Sequence, residues 1–272
     1  MAPEYAGRGD AIRSMELLWG RSAKGGARGP KQGTDLESVV RAAIELADAE
    51  GLDAVSMRRV AERLGLGTMS LYTYVPGKGE LLDLMLDTVY GERSRDVGRS
   101  AASPREALEA LARHQWDFHH RHPWTLYVAS SRAVLGPNES DSYEAVLSIA
   151  ADFGVPARDA VAIVDSVSMY VRGSAREAVE AAAAEQVTGM TELEWWTARD
   201  EILSEVMTAE RFPTLGRLDA EGAFAVPPDT ENYNLRFIVD DFEFGLQRLL
   251  DGIEAHVRAA RTASSSRRRK RG

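Results

Sequence analysis

The stretch SMRRVAERLGLGTMSLYTYV at positions 56–75 constrains the fold more than any other part of the chain. Two short helices that cross closely need a small residue at the crossing, and Ala61 supplies one. The tight turn between the helices needs a left-handed backbone, which Gly65 adopts without a steric penalty from a Cβ atom. Leu71, six residues after Gly65, can press back into the angle between the helices. This spacing predicts a helix-turn-helix.

Periodic apolar residues on both sides of this motif predict further helices. A capping box at Thr34 and Glu37 marks the start of the first helix, and Gly51 marks its end. The N-terminal part is predicted to hold helices at 34–51, 56–64, 68–74 and 78–91. The C-terminal part is predicted to hold helices at 104–121, 123–133, 138–153, 156–186, 191–209 and 231–261, with an irregular loop at 212–228. No alternating pattern of useful length for a β-strand is present, so we predict an all-α fold.

The helix predicted at 68–74 carries hydroxyls, a thioether and aromatic rings but no charge. A surface helix normally carries Glu and Lys, whereas short hydroxyls and rings suit a DNA major groove, where they reach base edges, thymine methyl groups and phosphates. Arg58 and Ser56 open the preceding helix, and Lys78 opens the next one, so these three side chains could hold the DNA backbone. The alternative is an ordinary helical hairpin in which Met69 and Thr73 merely cover surface.

The charge distribution permits a nucleic-acid partner although the net charge is −9. Residues 1–33 carry six basic and three acidic side chains, and residues 261–272 carry six basic and none acidic. Residues 100–260 carry 13 basic and 27 acidic side chains. A DNA-binding protein needs positive charge only where phosphates lie. An architectural DNA protein would instead need a broadly basic body.

Residues 34–91, including GLDAVSMRRVAERLGLGTMSLYTYVPGKGELLDLM, resemble the DNA-binding domain of tetracycline-repressor-type (TetR family) regulators. The C-terminal part resembles the tetracycline-repressor subgroup more loosely, through LGPNESDSYEAVL, SMYVRGSA and FEFGLQRLLDGI. The resemblance implies that one set of side chains faces bases: Thr68, Met69, Ser70 and Thr73. It implies that a second set holds phosphates: Ser56, Arg58, Tyr72, Tyr74 and Lys78.

These observations divide the chain into four predicted segments. Residues 1–33 are a flexible basic arm, which either enters a minor groove or only aids solubility. Residues 34–91 are the DNA-binding domain, a three-helix unit with a linker helix at 78–91. Residues 100–260 are a larger helical domain for ligand binding and dimerisation, and residues 261–272 are a disordered basic tail.

Apolar residues at helical spacing cover two sides of the segment 233–257. Together with the long helix at 156–186, this coverage suggests one face packed within the chain and another against a second subunit. The resemblance implies a four-helix dimer interface built from the helices near 156–186 and 231–261. Because a dimer reads two half-sites about 34–36 Å apart, the expected DNA partner is a palindromic or near-palindromic operator.

A small-molecule effector of unknown identity is expected in the C-terminal domain. Of its aromatic residues, Trp116, Tyr127 and Tyr170 lie mid-helix and are the candidates for lining an apolar pocket. The alternative is that they are ordinary core residues. The histidines between His114 and His122 are predicted to lie on the surface or on a pocket wall, and a metal site is the alternative. We predict no metal and no cofactor.

The chain lacks the motifs that would indicate an enzyme, namely Gly-x-Ser-x-Gly, His-Glu-x-x-His and a phosphate loop after a strand. It has no cysteine, no apolar run of membrane-span length and no signal pattern, which favours a cytoplasmic protein. We expect a repressor that a small-molecule inducer releases from DNA by a population shift, with the linker helix as lever. An activator of the same fold is the alternative, because polarity depends on where the operator lies.

Overall fold

The structure is a computed structural model that describes residues 4–21, 35–93, 96–98, 100–129, 132–225 and 232–269, with side chains up to residue 262. Its α-helices are α1 Ala11–Leu18, α2 Leu36–Glu50, α3 Met57–Arg63, α4 Thr68–Leu71, α5 Lys78–Tyr90, α6 Pro104–Arg121, α7 Pro137–Ala151, α8 Ala157–Thr188, α9 Glu192–Val206, α10 Pro213–Ala220 and α11 Tyr233–Arg269. Two 3-10 helices lie at Leu52–Ala54 and Pro123–Tyr127. The all-α class is confirmed.

The strands that the described residues contain are β1 Glu4–Tyr5 and β2 Val128–Ala129, which pair in parallel with Glu4 opposite Val128. The chain divides into two compact units. The first unit holds residues 1–172 and 248–272, and the second holds residues 173–247. None of the described helices is both long and apolar enough to cross a membrane.

The helix-turn-helix forms as the spacing predicts. Ser56 caps α3 by accepting a hydrogen bond from the Arg59 backbone N–H at 3.3 Å. Gly65 lies in the left-handed region at φ +65°, and the Leu66 N–H donates to the Ala61 carbonyl at 2.9 Å, so α3 ends in a glycine-dependent cap. Leu71 of α4 is fully buried in the same core as Ala61. The buried side chain of Leu71 therefore fixes α4 against α3.

Several predicted helix boundaries are corrected by the structure. The cap of α2 is Asp35, whose carboxylate accepts from the Ser38 N–H, while Thr34 lies outside the described residues. Residues 123–129 form a 3-10 turn and β2 rather than a helix, because the residue before a proline is disfavoured in the α region and α6 stops at Arg121. The predicted loop at 212–228 contains α10, which starts with Pro213 as its first residue. The tail at 261–272 is helical as far as Arg269.

The predicted flexible arm is wrong for its first part, because residues 4–21 are ordered on α5. The Gly7 N–H and the Ser14 hydroxyl both donate to the Asp83 carboxylate at 2.8 Å. The Asp10 N–H donates to the Glu80 carboxylate at 2.7 Å. Buried carboxylates need such donors, which is why this segment docks. Residues 4–19 are named the N-terminal strap below, and residues 22–33 of the predicted arm lie outside the described part.

A third buried carboxylate on α5 attaches the next part of the fold. Asp87 accepts hydrogen bonds from the Glu139 N–H at 2.9 Å and from the Asn138 amide at 3.1 Å, both at the start of α7. Burial raises the pKa of Asp87 and of Asp83 above the usual value for aspartate. Helix α5 therefore joins the helix-turn-helix to α7 through hydrogen bonds to the Asp87 carboxylate.

A pair of glycine substitutions tests the turn geometry. Gly65→Ala adds a Cβ at φ +65° in open space, so only the backbone conformation is penalised, and we expect a loss of about 1 kcal/mol in unfolding free energy. Gly252→Ala, inside α11 and also in open space, should instead stabilise by up to about 1 kcal/mol. Urea midpoints measure both changes. Equal effects at the two positions would contradict the left-handed turn.

Candidate nucleic-acid interface and cavity

Helix α4 ends at Leu71, earlier than the predicted 68–74, and the turn that follows it continues to Tyr74. This helix and turn carry most of the side chains that the sequence assigns to DNA. Met69 is 79% exposed, Tyr72 is 43% exposed, and Thr73 is also exposed, while Thr68 and Ser70 are half-buried. The Thr73 hydroxyl donates to the Ser70 carbonyl at 2.6 Å, so its oxygen is left to accept from an incoming group. The outward surface of residues 68–73 is uncharged, as the sequence indicates.

Tyr74 does not share this open face. Its side chain is partly buried against the hydrophobic core that also contains Leu71. The aromatic ring that the sequence assigns to a phosphate therefore contributes packing as well. Only the polar end of the ring could serve the assigned contact.

The basic side chains around α4 differ in how they are engaged. Arg58 is exposed and lies 3.7 Å from Glu62 on the same helix. Arg59 and Arg63 bind Glu50 and Glu45 of α2 at 2.7 and 2.9 Å. Arg58 is thus the α3 arginine whose ion pair is longest, which leaves it the most available to a phosphate.

Lys78 is positioned at the start of α5 but is already occupied. Its ammonium nitrogen lies 3.0 Å from the Glu4 carboxylate of the N-terminal strap. The sequence pattern does not reveal this contact, because it predicts residues 1–33 to be flexible.

A cavity of about 690 Å³ lies in the first unit, bordered by α6, α7, α8 and the end of α5. It is lined by Tyr90, Arg93, Gln115, His119, Ala133, Leu135, Glu139, Ser140, Ser142, Tyr143, Glu144, Val146, Val164, Asp165, Ser168, Met169 and Arg172. None of the candidates Trp116, Tyr127 and Tyr170 is among these residues. Trp116 and Tyr170 lie on α6 and α8, which border the cavity, but other positions of these helices face the space, and Tyr127 lies in the 3-10 helix.

Arg93 brings a positive charge to the cavity on an aromatic support. Its guanidinium carbon lies 5.3 Å from the centre of the Tyr90 ring and 5.2 Å from that of Phe118. Within the described part of the chain, no carboxylate lies within 4.0 Å of its nitrogens. Burial lowers the pKa of Arg93, and the nearby Tyr90 and Glu139 partly offset this. Arg93 can therefore donate to an acidic oxygen of a ligand.

His119 supplies a hydrogen-bond acceptor to the cavity. The Thr125 hydroxyl donates its hydrogen to the His122 carbonyl at 2.7 Å and therefore accepts from His119 Nδ1 at 3.0 Å. Burial, with help from Arg172 and Arg93, lowers the pKa of His119 to about 3. The ring is neutral at physiological pH, so its Nε2 atom is an acceptor for a hydroxyl or N–H.

His122, three residues later, contacts two carboxylates. Its Nδ1 lies 2.9 Å from the Asp48 carboxylate of α2, and its Nε2 lies 3.0 Å from the Glu92 carboxylate that follows α5. Burial alone lowers the pKa of His122, but the hydrogen bonds that the ring donates to these two carboxylates outweigh burial and raise the pKa above the usual value. The Trp124 indole N–H also donates to Asp48 at 2.8 Å. These contacts attach the end of α6 to the DNA-binding domain.

The histidines at 114–122 do not converge on one point. His120 contacts the Trp116 carbonyl, and His119 and His122 face the different partners given above. Among the described residues, no group of three or more His, Asp or Glu side chains is placed to hold a metal ion.

Comparison with known proteins identifies both parts of the chain. The family model described as bacterial regulatory proteins, tetR family, matches residues 39–85. The model described as tetracyclin repressor-like, C-terminal domain, matches residues 100–257. The HTH-type transcriptional repressor DrrR1 of Streptomyces coeruleorubidus is 43% identical over 262 residues, which cover 96% of this chain and 92% of that protein.

Solved structures show the same fold. ActR from Streptomyces coelicolor, in its apo form and in complex with actinorhodin, gives a TM-score of 0.64 in both cases at 26% identity. The matches cover 85% and 83% of this chain, and 100% and 98% of the ActR chains.

A helix-turn-helix with an uncharged outward helix, followed by a larger helical domain, defines a DNA-binding transcriptional regulator rather than an enzyme. The two family matches and the 43% identical relative then specify the kind of regulator. The chain belongs to the TetR family.

The His122 contacts predict a pH-dependent stability. The pKa of His122 is raised in the folded state. The stabilisation from its carboxylate contacts is therefore complete below the pKa of the unfolded state, about 6.5, and is lost as the pH rises through the pKa of the folded state. Unfolding midpoints measured across this range should fall more for the native protein than for His122→Gln. His120→Gln removes an exposed histidine that contacts a carbonyl, and it should keep the native pH dependence. If the unfolding midpoint of His122→Gln depends on pH as that of the native protein does, the stabilising role of the His122 contacts with Asp48 and Glu92 is contradicted.

Proposed function

We propose that the protein is a homodimeric repressor that binds operator DNA through α4 and is released by a small molecule in the cavity. The observation that carries the proposal is the uncharged, outward surface that residues 68–73 form on the helix-turn-helix. The relative named as a transcriptional repressor supports the direction of regulation. The ActR complex with actinorhodin supports a small-molecule effector.

Two kinds of contact follow from the chemistry of the α4 region. Thr68, Met69, Ser70 and Thr73 face bases, where a thioether meets thymine methyl groups and a hydroxyl meets donors or acceptors. Ser56, Arg58, Tyr72, Tyr74 and Lys78 hold phosphates and fix the register. The strongest support is for Met69, Tyr72 and Thr73, because each has an exposed side chain.

Dimerisation through α8 and α11 is supported by apolar side chains that face solvent in a single chain. Val187 of α8 is exposed, and so is Phe244 of α11. Exposed large apolar side chains on long helices are typical of a surface that another subunit covers. Two copies would present two α4 helices to one duplex, which gives the partner DNA its expected two-fold symmetry.

The effector that suits the cavity carries an acidic oxygen and a hydroxyl. Arg93 donates to the acidic oxygen, and neutral His119 accepts from the hydroxyl. Tyr90, Tyr143 and Met169 supply apolar wall between these polar groups. A cavity of about 690 Å³ accommodates a drug-sized molecule.

DNA selection from a random duplex library, followed by binding measurements, tests the interface. Lys78→Gln should weaken binding to all duplexes and reduce the salt slope by about 1 for each subunit. Met69→Ala should change base preference by about 1–3 kcal/mol at one position in each half-site and leave the salt slope unchanged. Arg113→Gln, an exposed α6 arginine paired with Glu109, serves as the control. Unchanged binding in both test variants would contradict the proposed interface.

Screening compounds for release of the selected duplex tests the cavity. Arg93→Gln should raise the concentration of an acidic compound needed for half-release about 10- to 100-fold, because a charge-assisted hydrogen bond is lost. DNA affinity without compound should stay near the native value. If every releasing compound acts equally on Arg93→Gln and on the native protein, the assignment of Arg93 fails.

A further inference from the structure

The N-terminal strap makes an ion pair with a residue of the proposed DNA interface. Glu4 lies 3.0 Å from the Lys78 ammonium, and both side chains are about one-third exposed, at 28% and 36%. Arg8 lies 3.7 Å from the other oxygen of Glu4. The Glu4 carboxylate is thus an anion already bound to the Lys78 ammonium.

The strap crosses α5 in a way that the glycines of both segments permit. A Cβ on Gly79 would lie 2.7 Å from the Gly9 backbone nitrogen, which real Cβ atoms do not tolerate. A Cβ on Gly9 would lie 2.5 Å from the Glu80 carboxyl group. The close approach of the two backbones and the hydrogen bonds to Glu80 and Asp83 give the strap a defined position on α5.

The strap also contacts the cavity side of the same unit. Its β1 pairs with β2, whose Val128 carbonyl accepts from the cavity residue Arg172 at 2.7 Å. The Trp19 indole donates to the Leu135 carbonyl at 3.0 Å. Leu135 lines the cavity and holds φ +59°, a left-handed conformation that is unusual for a leucine. One segment therefore joins the cavity wall to Lys78.

We propose that the strap is an autoinhibitory latch in which Glu4 withholds Lys78 from DNA while the strap is seated on α5 and on the cavity wall. This inference rests on the proposed function, because it requires Lys78 to bind a phosphate. A tethered carboxylate competes well with a phosphate from solution, since its local concentration is high. Because the strap also contacts β2 and Leu135, a change in the cavity wall would alter how well Glu4 competes for Lys78.

Binding of the wild-type-selected duplex tests the latch by a double-mutant cycle in the full-length chain. Glu4→Gln should bind about two- to fivefold more tightly for each subunit, the range expected for a partly exposed ion pair. In the Lys78→Gln background, Glu4→Gln should have no effect. Glu16→Gln makes the same charge change on α1, where the partly exposed carboxylate pairs with Arg13, and should leave affinity unchanged.

A separate variant tests the contact between Trp19 of the strap and Leu135 of the cavity wall. Trp19→Phe keeps the ring but removes the donor to the Leu135 carbonyl, so it should loosen the strap and raise affinity in the same direction as Glu4→Gln. The latch is overturned if Glu4→Gln equals Glu16→Gln, or if its gain persists without Lys78. Unchanged affinity in Trp19→Phe would overturn the role of the cavity wall.

Hydrogen exchange reports on the strap without any DNA. The Gly7 and Asp10 amides should be protected in the native protein and should lose protection in Gly79→Ala, whereas Gly252→Ala should keep it. Unprotected amides in the native protein would refute the latch while leaving DNA binding intact. Failure to bind any duplex, with these amides protected, would refute the proposed function instead.

Discussion

The need to satisfy three buried carboxylates on α5 determines how the first unit is assembled. Removing a carboxylate from water is costly unless donors replace the water, and Glu80, Asp83 and Asp87 obtain them from other segments. Glu80 and Asp83 recruit the N-terminal strap, while Asp87 recruits the start of α7. Gly136 is required at this last contact, because its Cβ would lie 2.2 Å from the Asp87 carboxylate. Helix α5 thus connects the helix-turn-helix, the strap and the cavity through charge rather than through apolar packing alone.

Two histidines on one turn show how the same side chain serves two purposes. His119 faces the cavity, where burial and arginines keep it neutral and able to accept a hydrogen bond. His122 lies between the carboxylates of Asp48 and Glu92, where only the imidazolium can donate to both. A ligand near His119 is therefore separated by only one turn of chain from the contact that attaches α6 to the DNA-binding domain. In the proposed mechanism, this proximity is the route by which a ligand in the cavity would affect the placement of α4.

The helix-turn-helix could be predicted because its determinants are local: a small residue, a glycine turn and one buried leucine within eleven residues. The boundaries of α5 and α6 were also predictable from caps and apolar spacing. The strap was not, because the order of its glycine-containing sequence comes from carboxylates some 70 residues away. The residues that line the cavity could not be predicted either, because their placement also depends on contacts between distant segments. Trp116 and Tyr170 lie on α6 and α8, which border the cavity, but only packing decides that Gln115 and Met169 face the space.

Everything proposed for this regulator requires α4 to enter the major groove twice for each assembly. Methylation protection of guanine N7 on a duplex selected by the native protein tests this most directly, because N7 is accessible only from the major groove. The account predicts two protected patches on the same face of the duplex, separated by about 10 base pairs or a multiple of that spacing. A single patch, or protection confined to minor-groove positions of adenine, would contradict it.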